Sequence, residues 1–164
     1  MPSRPEILFP LFGQLTQFTG IGPKIAINLS KLNINSPRDL LFTLPHSLLI
    51  RNRIETVLDA INNDIIIIEI IVDEHLENQQ KNRPYKINVS DAKTSFQLVF
   101  FHARKNWLWD LFPIGEKVLI SGKLEYFDGK AQITHPDYVF KPGNEGQIPT
   151  LEPIYSLSAG VTQK

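Results

Sequence analysis

KVLISGKLEYFDGKAQITHPDYVF, residues 117–140, holds two runs of alternating apolar and polar residues joined at Asp128-Gly129. Asp-Gly supplies the positive φ angles of a two-residue turn, so the spacing predicts a hairpin with strands over 117–126 and 131–140. Working backward, Ala103 to Phe112 reads as a helix ended by Pro113 and Gly115. Ahead of it Phe96, Leu98 and Phe100 alternate with Gln97, Val99 and Phe101, and before them Tyr85, Ile87 and Val89 alternate with Lys86, Asn88 and Ser90. Both read as strands with one buried face. Ile65 to Val72 is a β-branched run that reads as a further strand, and polar Glu77 to Arg83 reads as the loop after it.

Three strands, a helix and two strands, in that order, match the five-stranded OB barrel. The first third of the chain reads as helical instead. Ile7, Leu8, Leu11, Leu15 and Phe18 recur at helical spacing, interrupted by Pro10 and Gly13. Thr19-Gly20-Ile21-Gly22-Pro23-Lys24 is a tight turn with Pro23 at a helix start, and Ile25, Leu29 and Leu32 continue on one face. Ser36-Pro37-Arg38-Asp39 starts another helix, with Ser36 as N-cap, and Pro45 stops it after Leu44. The fold class expected is mainly β with an α-helical N-terminal segment. Residues 1–60 form that segment, 61–141 the OB barrel, and 142–164, rich in Gly, Pro and polar residues, a linker.

Composition narrows function by exclusion. Seventeen basic residues balance seventeen acidic ones among 164, so a nucleic-acid partner requires local clustering of cations. With no cysteine, thiolate catalysis, disulfides and cysteine-held zinc are excluded. The histidines at 46, 75, 102 and 135 lack metal-ligand spacing, and His135 before Pro136 reads as a turn residue or core neighbour. There is no Gly-x-x-x-x-Gly-Lys-Ser/Thr loop, since Gly122-Lys123 precedes Leu124 inside a strand, and no Ser/His/Asp set stands out. The expectation is a module without catalytic residues, metal or cofactor. The longest apolar run, Ile65 to Ile68, is far below the roughly 20 residues of a membrane helix, and the expected setting is the cytoplasm.

Three constellations suit nucleic acid. In Phe100-Phe101-His102-Ala103-Arg104-Lys105-Asn106-Trp107, alternation turns Leu98 and Phe100 inward and Phe101 outward, where a base can stack. Arg104 and Lys105 follow it as partners for a backbone, with Trp107 a second stacking candidate and Trp109 and Phe112 core residues of the helix. In the second, Gly20 and Gly22 allow the tight turn of a helix-hairpin-helix-like unit whose next helix start faces a phosphate, with Lys24 adding charge. Packing of two short helices explains the same residues. The third is the loop Gln79-Gln80-Lys81-Asn82-Arg83, with Lys81 and Arg83 either on the ligand face or at a solvated tip. Arg51 and Arg53 are further candidates, with Glu55 and Asp59 as alternative ion-pair partners.

Taken in order, Thr19 to Lys24, Asp39-Leu40-Leu41-Phe42-Thr43-Leu44-Pro45, Arg51, Phe100-Phe101, Gly122 through Gly129, His135-Pro136-Asp137-Tyr138, Pro153-Ile154-Tyr155 and Gly160-Val161-Thr162 resemble the N-terminal region of the bacterial RecG helicases. The resemblance implies a wedge domain that sits at branched DNA, such as forks and Holliday junctions, and splits its strands. It also implies a C-terminal helicase motor outside this sequence, using ATP and Mg, in a parent that regresses replication forks in recombination and repair. Phe101 matches the family's stacking Phe. Lys105 stands where the family often has a second aromatic, leaving Trp107 as the nearest substitute, and Leu48 and Ile50 replace the Tyr and acidic residue before Arg51. Two other readings of an OB module are a protein-interaction domain and an RNA-binding domain of the kind attached to tRNA synthetases.

Overall fold

The isoleucine run that reads as one strand is buried on both faces, and this explains its lack of alternation. Ile66, Ile68, Ile70 and Val72 point into one core, while Ile67 packs outward against Leu119 and Ile148. The computed structural model describes residues 5–76, 83–102, 104–143 and 145–161. Its helices are α1 (Pro23–Ser30), α2 (Pro37–Phe42) and α3 (Lys105–Leu111). Its strands are β1 (Ser47–Ile50), β2 (Asn52–Arg53), β3 (Ile65–Leu76), β4 (Tyr85–Ser90), β5 (Ser95–Phe100), β6 (Lys117–Phe127), β7 (Lys130–Thr134), β8 (Tyr138–Phe140) and β9 (Leu151–Ile154).

β3 pairs antiparallel with β4 and β4 with β5, β5 pairs parallel with β7, and β7 pairs antiparallel with β6. β6 returns to β3, with Ile68 opposite Ile120, and closes a five-stranded barrel. The OB expectation is therefore correct. Closure leaves no open edge among these strands. Ile87, Val89, Phe96, Leu98, Phe100, Val118, Ile120, Leu124 and Ile133 fill the interior. Leu108 and Phe112, one helical turn apart on the α3 side, are fully buried in the same core.

The structure departs from the expected elements in three places. Residues 6–12 and 15–17 form 3-10 turns in place of an amphipathic α-helix, and the first of them buries no residue. Pro10 lies inside that segment and has no N–H to give an α-helical ladder. The expected strand 131–140 is two strands, because the chain takes a positive φ of 48° at His135 immediately before Pro136. β7 pairs with the end of β6, and β8 with its beginning, where Leu119 lies opposite Phe140. Beyond Pro142, where a linker is expected, Ile148 is buried and β9 pairs with β1.

Chain contacts form two compact units, Met1–Leu48 with Pro153–Lys164, and Leu49–Glu152, against an expected division at residues 60 and 141. The first holds a small core of Leu15, Leu29 and Ile34 with Val161 packed against it, and Ser158 Oγ donates to the Asn28 carbonyl at 3.0 Å. The second holds the barrel.

Candidate nucleic-acid interface

Strand register gathers the barrel's candidate residues. Tyr85 lies opposite Phe100 in the antiparallel β4–β5 pair, so Arg83 precedes β4 at the end where Phe101 follows β5. Val99 lies opposite Thr134 in the parallel β5–β7 pair, so His135 leaves β7 at that same end. Phe101, Arg104, Lys105 and Trp107 are all exposed there or on the helix that follows, and Arg83 is exposed as well.

Phe101 is 48% exposed, as the sequence predicts, but for a different reason. β5 ends at Phe100, and Phe101 sits on a bend followed by His102 at φ 57°. Strand alternation does not account for the exposure, since Val99 has the outward phase and is buried at 3%. The ring is outward because the chain is leaving the sheet. Its N–H is donated to His135 Nε2 at 3.0 Å, and the Phe101 and His135 rings lie 5.9 Å apart.

α3 presents Trp107 at 52% exposure while Leu108 and Phe112 anchor it in the core. Trp109, expected in that core, is instead 38% exposed and stacks on His75 with ring centroids 4.2 Å apart. His75 is buried, with Nδ1 2.8 Å from the Tyr85 hydroxyl and Nε2 2.7 Å from the Phe112 carbonyl. A carbonyl only accepts, so Nε2 carries a proton and donates to it. This contact ties the end of α3 to β3 and β4.

Arg51 is a correction. Its side chain is buried, pairs with Glu152 at 2.7 Å and Asp137 at 3.7 Å, and lies 4.9 Å over the Tyr138 ring. The partners are not the Glu55 or Asp59 considered from sequence. Arg51 thus clamps the entry and exit of the barrel to the β7–β8 corner, as an interior ion pair. Arg53 is exposed. Lys81 lies outside the described residues.

Gly20, Gly22 and Lys24 belong to the other unit and are exposed. Gly20 turns the chain at φ 92°, a left-handed conformation that glycine adopts without cost. Gly22 caps α1, its carbonyl accepting from Ala26 N–H at 3.0 Å. Before this turn lies a 3-10 segment, so the helix-hairpin-helix-like unit has one α-helix. Among the described residues, no group of His, Asp and Glu is placed to hold a metal ion.

The β4 and β5 outer face carries polar side chains bonded to one another, Lys86 Nζ to Gln97 Oε1 at 3.1 Å and Gln97 Nε2 to Asn88 Oδ1 at 3.0 Å. The exposed aromatic rings of Phe101 and Trp107 lie beyond β5 and not among these polar side chains. The model of the RecG wedge domain matches residues 15–164. This chain belongs to the RecG wedge-domain family.

The structure of RecG bound to a three-way DNA junction is similar in fold, with a TM-score of 0.70 and 20% identity over 93% of this chain and 21% of that one. The chain thus spans about a fifth of the length of that RecG. A replication protein A heterotrimer bound to single-stranded DNA matches at a TM-score of 0.38 and 11% identity, over 51% of this chain and 61% of that chain. No curated protein matches the chain in sequence. At 20% identity, the likeness to the junction-bound RecG shows a shared fold. No helix among the described residues is long and apolar enough to cross a membrane.

Proposed function

We propose that the chain splits strands at a DNA branch, with Phe101 stacking on the last base pair and the barrel keeping the departing strands apart. The observation that carries this reading is an exposed Phe101 ring on a bend fixed at the end of a closed barrel. Base stacking needs an aromatic face, and steric splitting needs it on a rigid support. Arg104 and Lys105, exposed beside it, supply charge for the separated backbones, Trp107 offers a second stacking surface, and Arg83 flanks them. Lys81 belongs to the same proposal by sequence, and Gly20, Gly22 and Lys24 provide a separate phosphate contact.

In this reading ATP, Mg and strand translocation belong to helicase domains elsewhere in a longer parent. That parent acts in fork regression, Holliday-junction migration, recombination and repair, in the cytoplasm. The barrel supplies the obstacle and the motor supplies movement.

Binding of the full chain to forked DNA, linear duplex, single strand and tRNA tests the proposal. The fork is expected to bind tightest, with little dependence on sequence and with affinity falling as salt rises. Equal affinity for duplex, a preference for tRNA, or no nucleic-acid binding at all would overturn it.

A further inference from the structure

His135 lies outside the three constellations that suit nucleic acid, yet its Nε2 accepts the hydrogen bond from the Phe101 N–H. Its own backbone is held first, its N–H donating to the Val99 carbonyl at 3.0 Å. Two residues on, Asp137 N–H donates to the Ser121 carbonyl at 2.7 Å, so the corner is tied to both β5 and β6. The imidazole lies edge-on to buried Phe100, with centroids 5.7 Å apart and planes at 87°. A ring so held offers Nε2 as an acceptor at a set point in space. The Phe101 amide is at the end of β5, beyond the last residue with a ladder partner.

Accepting that proton requires a lone pair on Nε2 and therefore the neutral tautomer protonated on Nδ1. The left-handed backbone at His135, φ 48°, brings the ring back over the end of β5 where an extended residue would carry it along the strand. We infer that His135 is a positioning residue for the splitting aromatic, setting through Nε2 the orientation in which Phe101 meets the branch. This inference rests on the stacking role proposed above for Phe101.

The test uses the full chain and two substitutions that share the cost of a left-handed backbone. His135→Phe keeps a ring against Phe100 and removes the acceptor. His135→Gln removes the ring and returns an acceptor at similar reach. Fork affinity in His135→Phe is expected to fall about tenfold, toward that of Phe101→Ala, and to recover in His135→Gln. Fork affinity at the wild-type level in His135→Phe, with Phe101→Ala weakened, would overturn the positioning role alone. An equal loss in both His135 variants overturns it too, because the acceptor then has no effect. Unchanged affinity in Phe101→Ala overturns the stacking reading itself and the positioning role with it. Should His135→Phe fail to fold, the wild-type protein decides: labelled with 15N, it is expected to show scalar coupling between the Phe101 amide nitrogen and His135 Nε2. Absence of that coupling refutes the inference.

Discussion

Phe100 and Phe101 are chain neighbours with opposite surroundings, one 3% exposed in the barrel core and the other 48% exposed on the bend. Removing each ring therefore costs something different. Phe100→Ala opens a cavity against Phe112 and is expected to destabilise the barrel by roughly 3–5 kcal/mol. Phe101→Ala is expected to unfold near the wild-type temperature while losing about 1–3 kcal/mol of fork affinity. Thermal melts with fork titrations check the contrast, and the reverse pattern would place Phe101 in the core. A second residue-scale case is Tyr85, whose hydroxyl meets His75 Nδ1 in the buried contact behind α3. Tyr85→Phe keeps the ring and leaves that nitrogen without this partner, an expected loss of roughly 1–3 kcal/mol by chemical denaturation. None of this pairing was legible in the sequence. His75, Tyr85, Trp109 and Phe112 share no periodicity, and their meeting depends on strand register and on the placing of α3.

At the scale of elements, the alternating runs identified β4, β5 and β6, since one buried face imposes a period of two. The same logic failed at β7 and β8, where alternation continues across a break that only the His135 backbone and Pro136 reveal. Gly122 marks the break from the other side. A Cβ there would lie 2.5 Å from Ile133 Cγ2 and 3.3 Å from Pro136 Cα, so β6 and the corner approach each other through the missing side chain. Gly122→Ala is expected to destabilise by about 1–3 kcal/mol, read as a lowered melting temperature. It should also move the corner that carries His135. α2 supplies a pH-dependent case. Backbone N–H groups of Asn35 and Ser36 donate to the Asp39 carboxylate at 3.0 and 2.9 Å. With the Arg38 guanidinium 3.1 Å away, they lower its pKa from 3.8 to about 2, the Asn35 bond contributing most. The folded-state pKa is depressed, so this stabilisation is full above about pH 4 and is lost as pH falls through about 2. An NMR titration of the Asp39 side chain is expected to show that low midpoint, and Asp39→Asn is expected to abolish it.

At the scale of the whole molecule, the barrel core and the small core of the other unit share no residue among those described. The barrel's runs from Val57 to Ile133, and the smaller one joins Leu15, Leu29 and Ile34 to Val161. A fragment of residues 49–152 keeps every barrel strand and the Arg51–Glu152 pair. It is expected to unfold in one cooperative transition, checked by coincident far- and near-UV circular dichroism. A fragment that is unfolded or molten would show that the barrel depends on the rest. Sequence reading placed the fold class and the exposed Phe101 correctly, and it missed how the chain is divided. Pro142 to Val161 resembles a linker because its packing is spread over few residues, Ile148, β9 and Val161, with distant partners such as Ile67, β1 and Leu15. Local periodicity carries no record of such partners.

The pairing of β1 with β9 also sets how the molecule carries load. The barrel enters and leaves through these neighbouring strands, with His46 N–H bonded to the Ile154 carbonyl at 2.9 Å and Arg51 N–H to the Thr150 carbonyl at 2.8 Å. The barrel strands β3 to β8 lie in the chain between β1 and β9, so the barrel is a loop of chain closed by a two-stranded clasp. Tension along the polypeptide from either side reaches the clasp before it reaches any barrel strand. Its hydrogen bonds open in succession, as in a zipper, whereas the barrel ladders stay unloaded until the last of them has broken. The barrel is thereby insulated from pull along its own chain, and the clasp is the mechanical fuse.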